Sequence, residues 1–499
     1  MSDTQRAVEA VWRIEGARVV AALARMVGDL GQAEDLAQEA VADALAQWPE
    51  SGIPRNAGAW LTTVAKRKAI DGWRRRGRLD ERYRAIAREW EQQTEEPEPF
   101  DDDVLRLMFT ACHPVLGREA QVALTLRVVG GLTTEELARM FLVPVSTIQQ
   151  RITRAKKTLA AAKVPFAVPD PNDWADRLDR VLSVVYLIFT EGYAATSGDR
   201  WVRVDLANEA LRLGRVLAGL TPREPEVHAL VALMEFQASR FAARAAADGS
   251  PIMLPDQNRA RWNRAQITRG NEALARADAL HRGRGNYALQ AAIAQCHAVA
   301  PEFGDTDWDR IVLLYEALGH LTANPVVKLN HAVAVSMASG PAAALPLVDA
   351  LVTADALPRS YLLPSVRGEL LARLGRDEEA VSELTTAAAL VGNTRQRGVL
   401  LTKVEELRRG SASGGGATGK ARGKGAPGLR VGDLPMSGGG SQEQGWDNAA
   451  TGGADSGRTP CTTNIWPAPN TNTGWNVSSP MPDRADSPRR GPARVACDG

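Results

Sequence analysis

A stretch around residue 150 limits the possible folds most, because its apolar residues recur at i, i+4, i+7 and i+11, the spacing of one face of an α-helix. These residues are Ile148, Ile152, Ala155 and Leu159. Upstream, Thr133 or Thr134 is placed to cap a helix that starts with two acids. The apolar face of that earlier helix consists of Leu137, Met140 and Phe141. Two amphipathic helices therefore follow each other closely.

A turn separates the two predicted helices at Leu142-Val143-Pro144-Val145, and Ser146 is placed to cap the second one. Residues 119–163 therefore predict a helix-turn-helix. The polar face of the second helix carries amides and cations, which suit base edges in a major groove near the helix start and phosphates further along. Its candidate residues are Ser146, Thr147, Gln149, Gln150, Arg151, Thr153, Arg154, Lys156 and Lys157. The alternative is a helical hairpin whose basic face is only solvated.

The whole chain has 499 residues and a net charge of +1, so any nucleic-acid surface must be local. Its four cysteines form no CxxC pair, which argues against a zinc ribbon or a disulfide framework and fits a reducing cytosol. Without a signal segment or a long apolar stretch, we expect a cytoplasmic protein with no membrane span. The histidines are isolated and no GxSxG, P-loop or GxGxxG motif occurs in context, so we expect no enzyme activity, metal or cofactor.

Helical periodicity and composition divide an all-α chain into consecutive blocks. These are a helical domain at 1–85, an acidic linker at 86–104, the helix-turn-helix domain at 105–165, a helical repeat-like domain at 172–410, and a disordered low-complexity tail at 411–499. Within the first block, the sequence predicts a helix break around Asp29-Leu30-Gly31, a helix from Gln32 to Trp48 and a loop from Pro49 to Asn56. In the fourth block, Gly340 and Gly375 lie about one tetratricopeptide period apart, and each precedes an Ala-rich helix. We therefore expect stacked helical hairpins in this block.

Two segments near the start of the chain resemble functional helices of sigma factors. Asp29-Leu-Gly-Gln-Ala-Glu-Asp-Leu-Ala-Gln-Glu-Ala resembles the helix that binds RNA polymerase. Trp60-Leu-Thr-Thr-Val-Ala-Lys-Arg-Lys-Ala-Ile-Asp-Gly-Trp-Arg-Arg-Arg resembles the helix that melts and reads the −10 element. Together with the helix-turn-helix, residues 5–163 resemble the extracytoplasmic-function (ECF) class of the sigma-70 family. This resemblance implies an alternative sigma factor that brings core RNA polymerase to promoters and opens the DNA there.

The resemblance also assigns roles to particular side chains. Contacts with the beta and beta-prime subunits of core polymerase are expected for Asp35, Leu36, Gln38 and Glu39. Contacts with −10 DNA are expected for Arg55, Asn56, Trp60, Lys66, Arg67, Trp73, Arg74, Arg75 and Arg76. Rings and cations together suit single-stranded DNA, although core packing is an equal alternative for Trp60. Contacts with the −35 element are expected for these residues of the polar face: Ser146, Thr147, Gln149, Gln150, Arg151, Thr153, Arg154 and Lys157.

Phe141-Leu-Val-Pro, Gln150-Arg-Ile-Thr-Arg-Ala-Lys and Leu105-Arg-Leu-Met-Phe-Thr-Ala-Cys-His-Pro resemble one subgroup of this class, which carries a long tetratricopeptide-like extension. The resemblance implies that residues 172–410 contact the sigma domains and control them in place of a separate anti-sigma factor. It also implies a small YCII-related (DGPF-motif) protein, encoded nearby, as a partner. The alternative function is a helix-turn-helix regulator that binds operator DNA without polymerase.

Overall fold

The computed structural model describes residues 3–75, 101–141, 143–193, 204–244, 246, 252, 254–358, 360–391 and 394–413. Within these ranges the chain consists of α-helices, short 3-10 turns and loops, and has no strand, so the all-α prediction is confirmed. The acidic linker up to residue 100, Leu142 of the predicted turn, and the tail from residue 414 lie outside the described residues.

The first three helices pack on one another and form the N-terminal bundle. They are α1 (Asp3–Val27), α2 (Leu30–Ser51) and α3 (Ala57–Arg75). The predicted break before α2 is present: Gly28 has a φ of 71°, and the Asp29 carboxylate caps the next helix by accepting from the Gln32 N–H at 2.7 Å. Because Asp29 is the cap, α2 starts at Leu30, two residues earlier than predicted. It also continues through Pro49, which was expected to open a loop.

Four further helices form the helix-turn-helix block. They are α4 (Asp101–Ala111), α5 (Arg118–Val128), α6 (Thr134–Phe141) and α7 (Val145–Ala161). Helix α4 begins inside the stretch predicted as linker, because Asp103 is buried and bonded to Arg106 at 2.6 Å one turn later. Helix α7 packs on both α5 and α6, as a helix-turn-helix requires.

Eleven helices of the described residues form the C-terminal block. They are α8 (Trp174–Tyr193), α9 (Val204–Leu220), α10 (Pro225–Ala238), α11 (Arg264–Ala279), α12 (Asn286–Val299), α13 (Trp308–Leu321), α14 (Pro325–Ala338), α15 (Pro341–Thr353), α16 (Leu362–Arg373), α17 (Asp377–Leu390) and α18 (Thr394–Ser413). From α13 on, each helix packs on the next, as in stacked hairpins. Gly340 and Gly375 lie at the predicted turns with φ of 92° and 75°, which favour glycine. Helix α18 extends three residues past the predicted start of the tail.

The apolar core is continuous from α1 to α12. The helix-turn-helix block lies in the middle of it, since α4 and α5 contact α1 on one side and α8 on the other. Three smaller clusters complete the core of the later helices. The helix-turn-helix block is thus packed against both of its neighbours in the free chain. No helix of the described ranges is long and apolar enough to cross a membrane.

Candidate nucleic-acid and polymerase interface

The start of α6 is fixed by a reciprocal cap. The Glu136 N–H donates to the Thr133 hydroxyl at 3.1 Å, and the Thr133 N–H donates to the Glu136 carboxylate at 2.8 Å. This is a capping box, which satisfies two helix-end donors at once. Of the two threonines predicted as caps, Thr133 has that role.

The start of α7 differs from the prediction. Helix α7 begins at Val145 with Pro144 as its N-cap, so Ser146 lies inside the first turn and the prediction that it caps the helix was wrong. The physical reason is that Pro144 already has the extended conformation of a cap residue, with ψ of 145°, so the helix can begin directly after it. The side chain of Ser146 is exposed on the first turn.

The two faces of α7 separate as predicted. All four residues of the apolar stripe are buried. The exposed residues of the polar face are Ser146, Gln149, Gln150, Thr153, Arg154 and Lys157, while Thr147, Arg151 and Lys156 are half-buried. Arg151 forms an ion pair with Glu119 at 3.0 Å, which turns its guanidinium toward the start of α5. Six of the predicted −35 residues are therefore open to a ligand.

Helix α2 exposes both of the acids predicted to bind polymerase. Asp35 and Glu39 are exposed, Gln38 is half-buried, and Leu36 lies in the core. Lys68 of α3 approaches Glu39 at 3.7 Å, so this carboxylate is held lightly within the N-terminal bundle. The exposed acids are one helical turn apart and can meet one basic surface together.

The predicted −10 residues separate into exposed and packed groups. Arg55, Asn56 and Arg67 are exposed, and the Asn56 side chain also caps α3 by accepting from the Ala59 N–H at 3.0 Å. The ring of Trp60 meets that of Trp48 edge-on, with centroids 5.4 Å apart. In the free chain, Trp60 therefore packs against the core, which was the alternative to a DNA contact. Helix α3 carries Trp73, Arg74 and Arg75, whose side chains lie outside the described set, as does all of Arg76.

Lys66 is packed rather than exposed. The pKa of its ammonium is lowered to about 8, first by burial and then by the nearby charge of Arg25, while Asp103 of α4 acts in the opposite direction. Arg25 and Asp103 are themselves an ion pair at 3.3 Å. The predicted DNA-binding lysine therefore sits where α1 meets the helix-turn-helix block.

Sequence reasoning missed Glu34 on α2. Its side chain is 5% exposed and lies between two cations of the helix-turn-helix block, Arg127 of α5 at 2.5 Å and Lys156 of α7 at 2.5 Å. The spacing of the sequence could have indicated that Glu34 is buried, because it shares a helical face with the buried Leu30 and Ala37. An acid on a buried face needs a charged partner.

On its other side, the helix-turn-helix block meets the C-terminal block. The rings of Phe109 and Trp174 lie 5.3 Å apart, and Arg177 donates to the Phe109 carbonyl at 2.9 Å. Further along, Arg212 donates to the Val129 carbonyl at 3.2 Å and is also bonded to Glu209. Near Arg177, burial raises the pKa of the Cys112 thiol to about 12, so this cysteine stays protonated in the core. Among the described residues no His, Cys, Asp or Glu cluster has metal-binding geometry.

Comparisons with known families cover the two candidate surfaces and part of the C-terminal block. Residues 12–79 match Sigma-70 region 2, and residues 106–159 match Sigma-70 region 4. Residues 177–278 match a family of unknown function, DUF6596. An uncharacterized protein of Rhizobium meliloti (strain 1021) is 42% identical over 404 residues, which is 78% of this chain and 93% of that protein.

A second relative carries a functional description. A probable ECF RNA polymerase sigma factor, SigI, of Mycobacterium tuberculosis is 30% identical over 167 residues, in strains CDC 1551 and H37Rv alike. That alignment covers 32% of this chain and 57% of the relative. No solved structure matches the chain.

Proposed function

The chain belongs to the ECF class of the sigma-70 family, and from that premise we propose how it works: α2 binds core RNA polymerase, α3 with its preceding loop engages the −10 element, and α7 reads the −35 element. The C-terminal block controls these activities. A sigma factor role follows from family membership, whereas the surfaces and the control are this proposal.

The observation that carries the proposal is the chemistry of α7. One face is a buried apolar stripe, and the opposite face exposes amides and cations, among them Gln149, Gln150 and Arg154. Side chains of these types can pair with base edges and phosphates in a major groove. The exposed acids Asp35 and Glu39 support a second partner, since an operator-binding regulator has no use for an acidic surface on α2.

The test is run-off transcription with core polymerase, the full chain and the promoter upstream of its own gene. We expect a transcript from the wild type and its loss with Asp35→Ala and Glu39→Ala together. The matched control is Gln47→Ala with Glu50→Ala, because these two residues are exposed on the same helix. Equal transcription from the acid variant would rule out this polymerase surface. Tight duplex binding by the isolated wild type, with no transcript, would support the operator-binding alternative instead.

Control by the C-terminal block is supported by the contacts of α8 and α9 with α4 and the end of α5. We expect Trp174→Ala with Arg177→Ala, in the full chain, to change transcription from the wild-type level. A rise would make the block an inhibitor and a fall would make it a required element. An unchanged level in a folded variant would remove this part of the proposal.

The subgroup resemblance adds the YCII-related protein as a proposed partner of the same block. Its binding can be measured by titrating that purified protein against the full chain. Binding that is retained by the Trp174→Ala, Arg177→Ala variant would place the partner away from the contact with α4. Absence of binding at micromolar concentration would remove it as a direct partner.

A further inference from the structure

Glu34, Arg127 and Lys156 form an ion-pair cluster between α2 and α7, and we propose that this Glu34 cluster holds the free sigma factor in a closed arrangement that polymerase binding must open. In the closed arrangement α2 and α7 are in direct contact. The inference rests on the proposed function, because it uses α2 as the polymerase helix and α7 as the −35 helix.

In the Glu34 cluster, two cations bind one carboxylate from different sides. Arg127 and Lys156 approach different oxygens of Glu34, and their side chains are only 14% and 19% exposed. Arg127 is fixed from its own side, because it also donates to the Leu132 carbonyl at 2.9 Å. A carboxylate buried this deeply is stable only while its cations remain beside it. The contact therefore depends on charge complementarity between two domains.

Additional contacts join the same two domains. Arg13 of α1 pairs with Glu136, the residue that completes the α6 capping box. A Cβ placed on Gly131 would touch Trp12 at 3.6 Å, so the turn before α6 lies directly on α1. The Glu34 cluster is thus one part of a continuous surface.

The cluster overlaps the proposed polymerase site. Lys156 lies 3.6 Å from Asp35, one of the exposed acids of α2. By the family resemblance, that acidic face docks on a basic surface of polymerase. In the free chain, the helix-turn-helix block supplies cations to the same face. Polymerase and α7 therefore compete for α2.

Promoter geometry gives an independent reason why the closed arrangement must open. By their names, the −10 and −35 elements lie about 25 bp apart, on the order of 85 Å along B-form DNA at roughly 34–36 Å per 10–10.5 bp. Helices α2 and α7 have 22 and 17 residues. Laid end to end, they would reach about 60 Å at ~1.5 Å per residue. Two domains in direct contact cannot place α3 and α7 on both elements at once.

If most free molecules are closed, their apparent affinity for polymerase is reduced, because only the open molecules can bind it. Weakening the cluster should therefore tighten the binding of core polymerase in the absence of DNA. We expect Lys156→Gln to tighten it roughly tenfold for each ~1.4 kcal/mol of closed-state stabilisation removed. The control is Arg139→Gln, which changes an exposed cation on α6. Equal affinities of wild type and Lys156→Gln would contradict the proposal.

A disulfide provides the decisive test. A Cβ placed on Gly31 would lie 3.8 Å from the Cβ of Lys156, within the range of about 3.5–4.5 Å found across disulfides. The variant is G31C/K156C in the full chain, with Cys461→Ser and Cys497→Ser to prevent other pairings. The Asp29 carboxylate lies 3.1 Å from the new Cβ, so the reduced variant serves as the control for any disturbance of the α2 cap.

We expect the disulfide to form in air, and the oxidised protein to lose core binding and run-off transcription. Reduction with dithiothreitol should restore both. Failure of the two cysteines to pair would show that the closed arrangement is not populated and would overturn the proposal. Equal transcription from oxidised and reduced protein would overturn it as well, while leaving the proposed function intact. No transcript from wild type or reduced variant would instead count against the proposed function itself.

Discussion

Two neighbours hold the helix-turn-helix block, α4–α7, and they hold it with different chemistry. Toward the N-terminal bundle, the polar contacts are ion pairs. Glu34 lies between the cations Arg127 and Lys156, and Arg25 pairs with Asp103. Toward the C-terminal block, the contacts are an aromatic pair and arginines that donate to main-chain carbonyls, as Arg177 does to Phe109. The polar contacts of the first interface are charges that a partner can replace, whereas those of the second depend on ring packing and main-chain geometry.

This difference indicates which interface is released during initiation. A basic surface of polymerase can substitute for Arg127 and Lys156, but it offers nothing that replaces a ring against Phe109. We therefore expect the helix-turn-helix block to leave the N-terminal bundle while it stays attached to α8. On this view, the C-terminal block moves together with the −35 domain.

The largest effect should come from the aromatic contact of the second interface. Phe109 is fully buried, and Phe109→Ala should lower the free energy of unfolding by about 3–5 kcal/mol through lost burial and the cavity left behind. Urea denaturation followed by circular dichroism measures it. The control, Val115→Ala, changes an exposed residue just after α4 and should shift stability by less than about 0.5 kcal/mol. A loss below about 1 kcal/mol for Phe109→Ala would mean that the second interface is not a packed one.

A smaller loss is expected at Arg212, which joins the same interface through polar contacts. Arg212→Gln removes the donor to the Val129 carbonyl and leaves the buried Glu209 without its cation. The cost should be about 1–3 kcal/mol, the penalty for a buried polar group that loses its partner. Adding Glu209→Gln should recover much of that loss in the same urea titration, because the buried charge is then gone. A double variant less stable than the single one would show that Glu209 has another essential contact.

Features set by local sequence were predictable. The buried stripe of α7 and the cap at Thr133 depend on residues within one or two turns of each other, and both are present. The cap of α7 was misplaced by two residues, at Ser146 instead of Pro144, since a proline cap competes with a serine cap and the pattern of apolar residues does not separate them. A break was predicted around Asp29-Leu30-Gly31, but the Asp29 cap confines it to Gly28 and Asp29 and starts α2 at Leu30 rather than Gln32.

Features set by contacts between distant residues were not predictable. The partners of Glu34 are 93 and more residues away along the chain, and no spacing rule connects them. Likewise, Lys66 belongs to a basic stretch that suits DNA, yet its surroundings are fixed by α1 and α4. Sequence patterns identified which residue types carry the candidate surfaces, whereas the fold determined which of them are covered in the free chain.

The cap of α6 allows the stability of the helix-turn-helix block to be separated from its contact with the bundle. Thr133→Ala should cost about 1 kcal/mol of stability, the usual loss for a helix N-cap. Arg13→Gln removes the partner of Glu136 on α1 but leaves the cap, and its cost should stay below about 1 kcal/mol because Arg13 is partly exposed. Core binding reports the difference: Arg13→Gln should tighten it, and Thr133→Ala should not. The reverse order would place the cap, not the ion pair, at the interface.

A pH dependence of stability at Lys66 reports directly on the first interface. Its pKa is about 8 in the folded chain against an ordinary 10.5, so the unfolded chain binds more protons between these two values. Stability should therefore rise with pH from about 8 to about 10.5 through this group. Lys66→Met should remove that rise, whereas Lys157→Met, on the exposed face of α7, should keep it.

The measurement is the urea midpoint across this pH range for wild type and both variants. Parallel profiles for all three would mean that Lys66 remains hydrated and that α1 and α4 do not cover it. If the rise is present, opening of the first interface returns Lys66 to water, so release of the helix-turn-helix block above pH 8 should take up protons. The lysine that the bundle keeps partly neutral would then become charged when the −10 DNA becomes accessible to it.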